Sequence, residues 1–136
     1  MNSLHPIPGR LWIIQLAEEL SRRVERRVSR WPASQRKDLG DQWTRSTDSI
    51  GENISEGYAR MHIKERLHFL SIAQGSLEEA LFQLRRARDR HLLSEFEAKS
   101  CPDCLSGFRM ESMRWPRSKR VQRQENRNGG TADTAG

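Results

Sequence analysis

Apolar residues recur at three- and four-residue steps along most of the chain, the period of a helix that buries one face. Ile13, Ala17, Leu20, Val24, Val28 and Trp31 form one such stripe, which predicts a first helix from about Arg10 to Trp31 with an arginine-rich opposite side. Pro32 ends it, since proline donates no hydrogen bond to the ladder and restricts the residue before it. Residues 1–9, with Pro6, Pro8 and Gly9, read as a flexible leader.

A second helix is expected to start near Ser34, a serviceable N-cap, and to carry Leu39, Trp43, Thr47, Ile50 and Ile54 inward. Its difficult stretch is SIGENISEG, Ser49 to Gly57. Two glycines and an asparagine suggest a turn, but Ile50 and Ile54 keep the stripe intact, so the reading is helix. Gly51 would cost about 1 kcal/mol against alanine in a helix interior, which predicts another backbone close by. Gly57 is expected to be the C-cap. The third helix, about Ile63 to His91, has the stripe Leu70, Ala73, Leu77, Ala80, Leu81, Leu84 and Ala87, widened early by Leu67, Phe69 and Ile72. The small pairs Ser71/Gly75 and Ser76/Ala80 should admit neighbouring helices. SEFE reads as a capping box, Ser94 with Glu97, opening a fourth helix that Pro102 either kinks or restarts at Ser100, with Cys101, Leu105, Phe108 and Trp115 inward. Beyond Trp115-Pro116 the period stops. The expected architecture is all-α, an up-and-down four-helix bundle over 10–116, followed by a disordered basic tail, 117–136.

Charge adds a direction. Lys and Arg number 24 against 18 acids, net +6; residues 114–136 hold six basic and two acidic side chains, so most of the excess lies in the tail. The excess is arginine, whose planar fork suits phosphate or carboxylate. No apolar run is long enough to span a bilayer and the start lacks a secretory pattern, so a cytoplasmic protein is expected. Trp12, Leu16, Phe69 and Phe82 lie off the main stripes and predict a subunit interface.

The stretch RSTDSIGENISEGYAR, Arg45 to Arg60, followed by ERLHFLSIAQGSLEEALFQLRRA, Glu65 to Ala87, resembles the four-helix-bundle family of the 23S ribosomal RNA intervening-sequence protein. Arg45, Ser49, Ile50, Asn53, Ile54, Glu56 and Gly57 fit the family's second-helix motif, and Phe69, Ala73, Gly75, Ser76, Glu79 and Leu84 its third. The resemblance covers about residues 10–113 and weakens at Cys101, Pro102 and Cys104. It implies a ring-forming homopentamer without enzymatic activity. A related branch serves as accessory protein to the reverse transcriptase of diversity-generating retroelements, so nucleic acid is the implied partner.

The residues themselves offer the following chemistry. Arg22, Arg26 and Arg30 lie four apart on the first helix with Arg23 and Arg27 alongside; five guanidiniums on one surface would neutralise phosphates, unless Glu18, Glu19 and Glu25 pair with them as an ordinary solvated face. Arg45, Arg60 and the tail's Arg117, Lys119, Arg120 and Arg123 complete the nucleic-acid candidates. No aromatics interleave with the five arginines of the first helix, which argues against base stacking there. Asn53 and Glu56 are expected in a structural hydrogen-bond network, with a ligand or RNA contact as the alternative; Gly57, Gly75 and Ser76 belong to the same structural motif. Glu56 has no companion at catalytic spacing, so no enzyme is expected. Cys101 and Cys104 give half of a tetrahedral zinc site, and His5, His62, His68 and His91 form no i, i+4 pair; no metal or cofactor is expected. The competing reading is an oligomeric protein–protein scaffold without a nucleic-acid role.

Overall fold

A computed structural model describes residues 9–99. Among them are four helices and no strand. Helix α1 is Gly9–Val28, α2 is Asp41–Ala59 and α3 is Ile63–Asp89; a fourth helix starts at 95–99. Between α1 and α2 the chain turns at Pro32, makes one α-turn, Ala33–Gln35, and widens into a π-helical stretch, Arg36–Gly40, that runs straight into α2. Cys101, Pro102, Cys104 and the expected basic tail lie outside the described residues.

Helix α2 sits in the middle. Against α3 its contacts step in opposite directions: Ser49 meets Ser76, Gln42 meets Gln83, and Asp38, just ahead of α2, meets Arg90. Against α1 the close points are Gly51 with Ala17 and Gly40 with Val28. Each helix is thus antiparallel to the one before it, and the fourth begins beside the end of α1, where Arg27 pairs with Glu97. This is the up-and-down order that short connections enforce.

The predicted stripes make the core. Ile13, Ala17, Leu20, Val24 and Val28 of α1, Trp43, Ile50 and Ile54 of α2, and Ala73, Leu77, Ala80, Leu84 and Ala87 of α3 are all buried, with Trp31 and Leu39 closing one end. Trp31 stacks on Trp43 with ring centroids 5.6 Å apart and planes 13° from parallel, worth about 0.5–1.5 kcal/mol beyond the area it buries.

SIGENISEG is helical throughout. Gly57, however, is not the C-cap: it is buried inside α2, no glycine among the described residues has positive φ, and the helix closes at Arg60, which is extended. A Cβ on Gly57 would stand 3.1 Å from Phe69 Cβ and 3.3 Å from the Arg66 carbonyl oxygen. The glycine is there for α3's approach. Gly51 meets α1 through the Ala17 methyl at 3.3 Å rather than through backbone. Ser34 is not an N-cap either; Pro32 takes that place with φ −55° and ψ 148° and makes no side-chain cap. Gly9 is already helical, and α3 ends at Asp89, short of His91.

Other expectations divide. Ser76 and Ala80 are buried, and Ser76 meets Ser49 of α2, as a small residue at a helix contact should, but Ser71 and Gly75 are exposed and nothing stands within 4 Å of a Cβ built on Gly75. Leu67 and Ile72 are exposed instead of widening the core. Trp12 and Leu16 pack against the core from its edge and Phe69 is half-buried; of the four apolar residues expected at an interface, Phe82 alone is exposed, at 50%.

Candidate nucleic-acid interface

The last two turns of α1 present their arginines away from the Val24 and Val28 side. Arg23, Arg26, Arg27 and Arg30 line a depression of about 270 Å³ whose fifth wall is Glu97. Glu97 has two tasks. Its Oε2 accepts from the Ser94 N–H at 2.9 Å while Ser94 Oγ accepts from the Glu97 N–H at 3.1 Å, the reciprocal capping box predicted from the sequence; its Oε1 pairs with Arg27. The Ser94 backbone N–H, then the charges of Arg27 and Arg30, hold the Glu97 carboxyl below its ordinary value against the opposing effect of burial. On the solvent side Glu19 gathers three guanidiniums: Arg23 Nε donates at 2.9 Å, Arg22 Nε at 3.3 Å, and Arg26 Nη2 lies 3.6 Å away. Glu19 is accordingly more acidic than usual, chiefly through Arg23.

The five arginines are joined in part through Glu19, which Arg22, Arg23 and Arg26 share. Arg22 lines a different groove, between α1 and α2, and four remain around the depression. Arg26 and Arg27 also occupy the last turn of α1, where positive charge complements the helix dipole.

The motif residues of α2 and α3 build structure. Ser49 and Ser76 hydroxyls meet at 2.9 Å; Asn53 Nδ2 donates to the Ser49 carbonyl oxygen at 2.8 Å and to Ser49 Oγ at 3.1 Å; Ser76 Oγ donates to the Ile72 carbonyl oxygen at 3.2 Å. One cross-helix hydrogen bond of this kind contributes about 1 kcal/mol and fixes register, because a slip would strand half-buried polar groups. Glu56 pairs with Arg60 one turn on. The Arg60 guanidinium lies 5.0 Å over the Phe69 ring, and the Arg60 carbonyl oxygen accepts from Arg66 Nε at 2.6 Å, tying together the corner between α2 and α3. Arg60 is thus engaged in the corner, and Arg45, exposed on α2, is not part of the depression.

Over residues 10–107 the sequence matches the family described as 23S rRNA-intervening sequence protein. The chain belongs to this family. No curated protein is similar enough to match. Among solved structures, a protein of unknown function from the S23 ribosomal protein family of Bacteroides thetaiotaomicron is 17% identical, covers 78% of this chain and 96% of its own, and superimposes with a TM-score of 0.72. At that identity the likeness is one of fold.

Within the family frame, several features are specific to this geometry and escaped the sequence. Gly40 is buried at the π-helical turn, and a Cβ there would lie 2.6 Å from Val28 Cγ1; it sits off the apolar period, so no pattern marks it. His91 has φ 55°; its N–H donates to the Arg88 carbonyl oxygen and the Leu92 N–H to that of Ala87, both at 2.9 Å, a Schellman ending without its usual glycine. Trp43 Nε1 is buried and finds no acceptor among the described residues. No grouping of three or more His, Cys, Asp or Glu suited to a metal occurs among the described residues, and none of their helices is long and apolar enough to cross a membrane. Arg117, Lys119, Arg120 and Arg123 lie outside them.

Proposed function

We propose that this family member is a non-enzymatic, oligomeric bundle that binds nucleic acid through phosphate contacts at the end of α1. The observation that carries the reading is the depression in which four guanidiniums surround one carboxylate. Its walls are fixed by α1 and by the start of the fourth helix, so the charges are arrayed before a ligand arrives and little ordering opposes binding. No exposed aromatic lines it, which fits contact with the sugar–phosphate backbone and not with bases. The family's name, with its link to 23S rRNA, supports RNA as the first ligand to test; a role beside a reverse transcriptase is a narrower form of the same proposal.

The test is titration of a fluorescent RNA duplex and a single strand at several salt concentrations with the full chain and with its Arg23→Gln/Arg26→Gln/Arg30→Gln variant. Affinity should fall steeply with salt for the native chain, and the variant should lose up to about three units of the log–log slope on a duplex, close to one per phosphate contact. Equal affinity and slope in both proteins would defeat the reading and leave the protein–protein scaffold, which the exposed Phe82, Leu67 and Met61 favour on their own account.

A further inference from the structure

The groove between α1 and α2 lies apart from the arginine depression and encloses about 490 Å³. Its floor is apolar and small: Ile14 is half-buried, Ala17 buried, and Gly51 bears no side chain. Its rim is acidic. Glu18, Asp48 and Glu52 border it with one guanidinium, Arg22, which already donates to Glu19. A groove of this shape takes a large apolar side chain flanked by positive charge.

This chain carries such a feature on α3. Phe82 is the half-exposed aromatic of the outward face, opposite the residues that meet α2. The Arg86 guanidinium stands 6.0 Å from its ring centroid, and Arg85 is exposed beside it. One turn earlier come Glu78 and Glu79, both exposed, so the strip is polarised along its axis. The groove is polarised too: because α1 and α2 are antiparallel, Arg22 and Asp48 lie toward one end and Glu18 and Glu52 toward the other.

We infer that the Phe82 strip of one copy seats in the α1–α2 groove of a second copy, the ring against Ala17 and Gly51 and the guanidiniums of Arg85 and Arg86 toward Glu18 and Glu52. Glu78 and Glu79 then face the Arg22 end, and the docked α3 runs parallel to the neighbour's α2. The two patches are different surfaces of the same chain, so the contact is heterologous and propagates into a closed ring or an open filament, not a twofold dimer. The inference rests on the assembly part of the proposed function and supplies the interface it lacks.

A mixing experiment tests it in the absence of nucleic acid. Phe82→Asp spoils the strip and keeps the groove; Glu18→Arg/Glu52→Arg spoils the groove and keeps the strip. All three positions are exposed, and circular dichroism checks that helix content is retained. By light scattering and native mass spectrometry each variant alone should drop from the assembled mass to the monomer. An equimolar mixture should then form a one-to-one dimer, because one intact strip and one intact groove remain. An unchanged assembled mass for either variant, or a mixture that stays monomeric, overturns the interface while leaving assembly standing. A native chain that is monomeric at micromolar concentration overturns both.

Discussion

Alanine substitution at Gly40, Gly51, Gly57 and Gly75 separates what the fold demands of each, since every one trades the same gain against a different obstacle. Replacing glycine by alanine inside a helix contributes about 1 kcal/mol through backbone entropy. At Gly75 nothing stands within 4 Å of the new methyl, so the full gain should appear. At Gly51 the only neighbour is the Ala17 methyl at 3.3 Å; a few tenths of an ångström of give between α1 and α2 consumes most of the gain, for a change near zero. At Gly57 the methyl meets the Phe69 Cβ at 3.1 Å and a backbone carbonyl at 3.3 Å. Neither is the end of a flexible side chain, and a net loss of about 0.5–1 kcal/mol is expected. At Gly40 the methyl would stand 2.6 Å from Val28 Cγ1, far inside the optimal separation of about 3.5–4.0 Å. Val28 is β-branched and buried, so its methyl cannot swing aside freely, and overpacking of about 1–3 kcal/mol outweighs the helical gain. Urea denaturation followed by circular dichroism should rank the variants Gly75→Ala above native, Gly51→Ala level with it, then Gly57→Ala, then Gly40→Ala. A Gly40→Ala protein as stable as the native chain, or a Gly75→Ala protein less stable, would refute this steric account.

His91→Gly should stabilise by about 1 kcal/mol, because the left-handed position that ends α3 costs any side chain that a glycine would not have; a lower thermal midpoint would show that the imidazole makes a contact worth more than the strain. Glu97→Gln retains a capping-box residue and removes the ion pair with Arg27, whose side chains are 28% and 21% exposed; a loss of about 1–2 kcal/mol is expected, and an unchanged urea midpoint would mean the pair is inert. The Glu97 carboxyl is depressed from 4.5 on folding, so its contribution is full above that value and lost as pH falls through the lower folded value; the native chain should lose more stability between pH 5 and about pH 3 than Glu97→Gln does, by fluorescence-monitored unfolding. Deleting residues 117–136 removes Arg117, Lys119, Arg120, Arg123 and Arg127 and should weaken RNA binding at low salt without changing the assembled mass; a fall to monomer would place assembly contacts in that segment.

The helices were legible because their evidence is periodic. Ile50 and Ile54 carried the stripe across SIGENISEG although Gly51, Asn53 and Gly57 argued locally for a turn, and burial of both isoleucines shows that period outranks propensity when a face is packed. What composition and period could not supply was the partner of each small residue. Gly57 and a C-cap glycine look alike in sequence; only the arrival of Phe69 and Arg66 from α3 tells them apart. Gly40 lies where the helical period itself changes, so a scan at 3.6 residues per turn passes over it. The arginine surface was legible as charge, but its partition was not: Arg22, Arg23 and Arg26 share Glu19, while Arg23, Arg26, Arg27 and Arg30 line the depression and Arg22 also borders the acidic groove. Ser94 and Glu97 were read correctly as a cap, but the second bond of Glu97, to Arg27, depends on the fourth helix starting beside the end of the first.

Under the proposed function, that second bond makes helix docking and anion binding competitors for one guanidinium. A phosphate that draws Arg27 away from Glu97 breaks one tie between the start of the fourth helix and α1, and the free energy of that tie is subtracted from the affinity. Reciprocity then requires that whatever loosens the fourth helix sharpen the site by the same factor. The end of α1 is in this sense a balance between folding and recognition, with Glu97 as the counterweight: the chain holds one anion of its own in the place where it would hold another's.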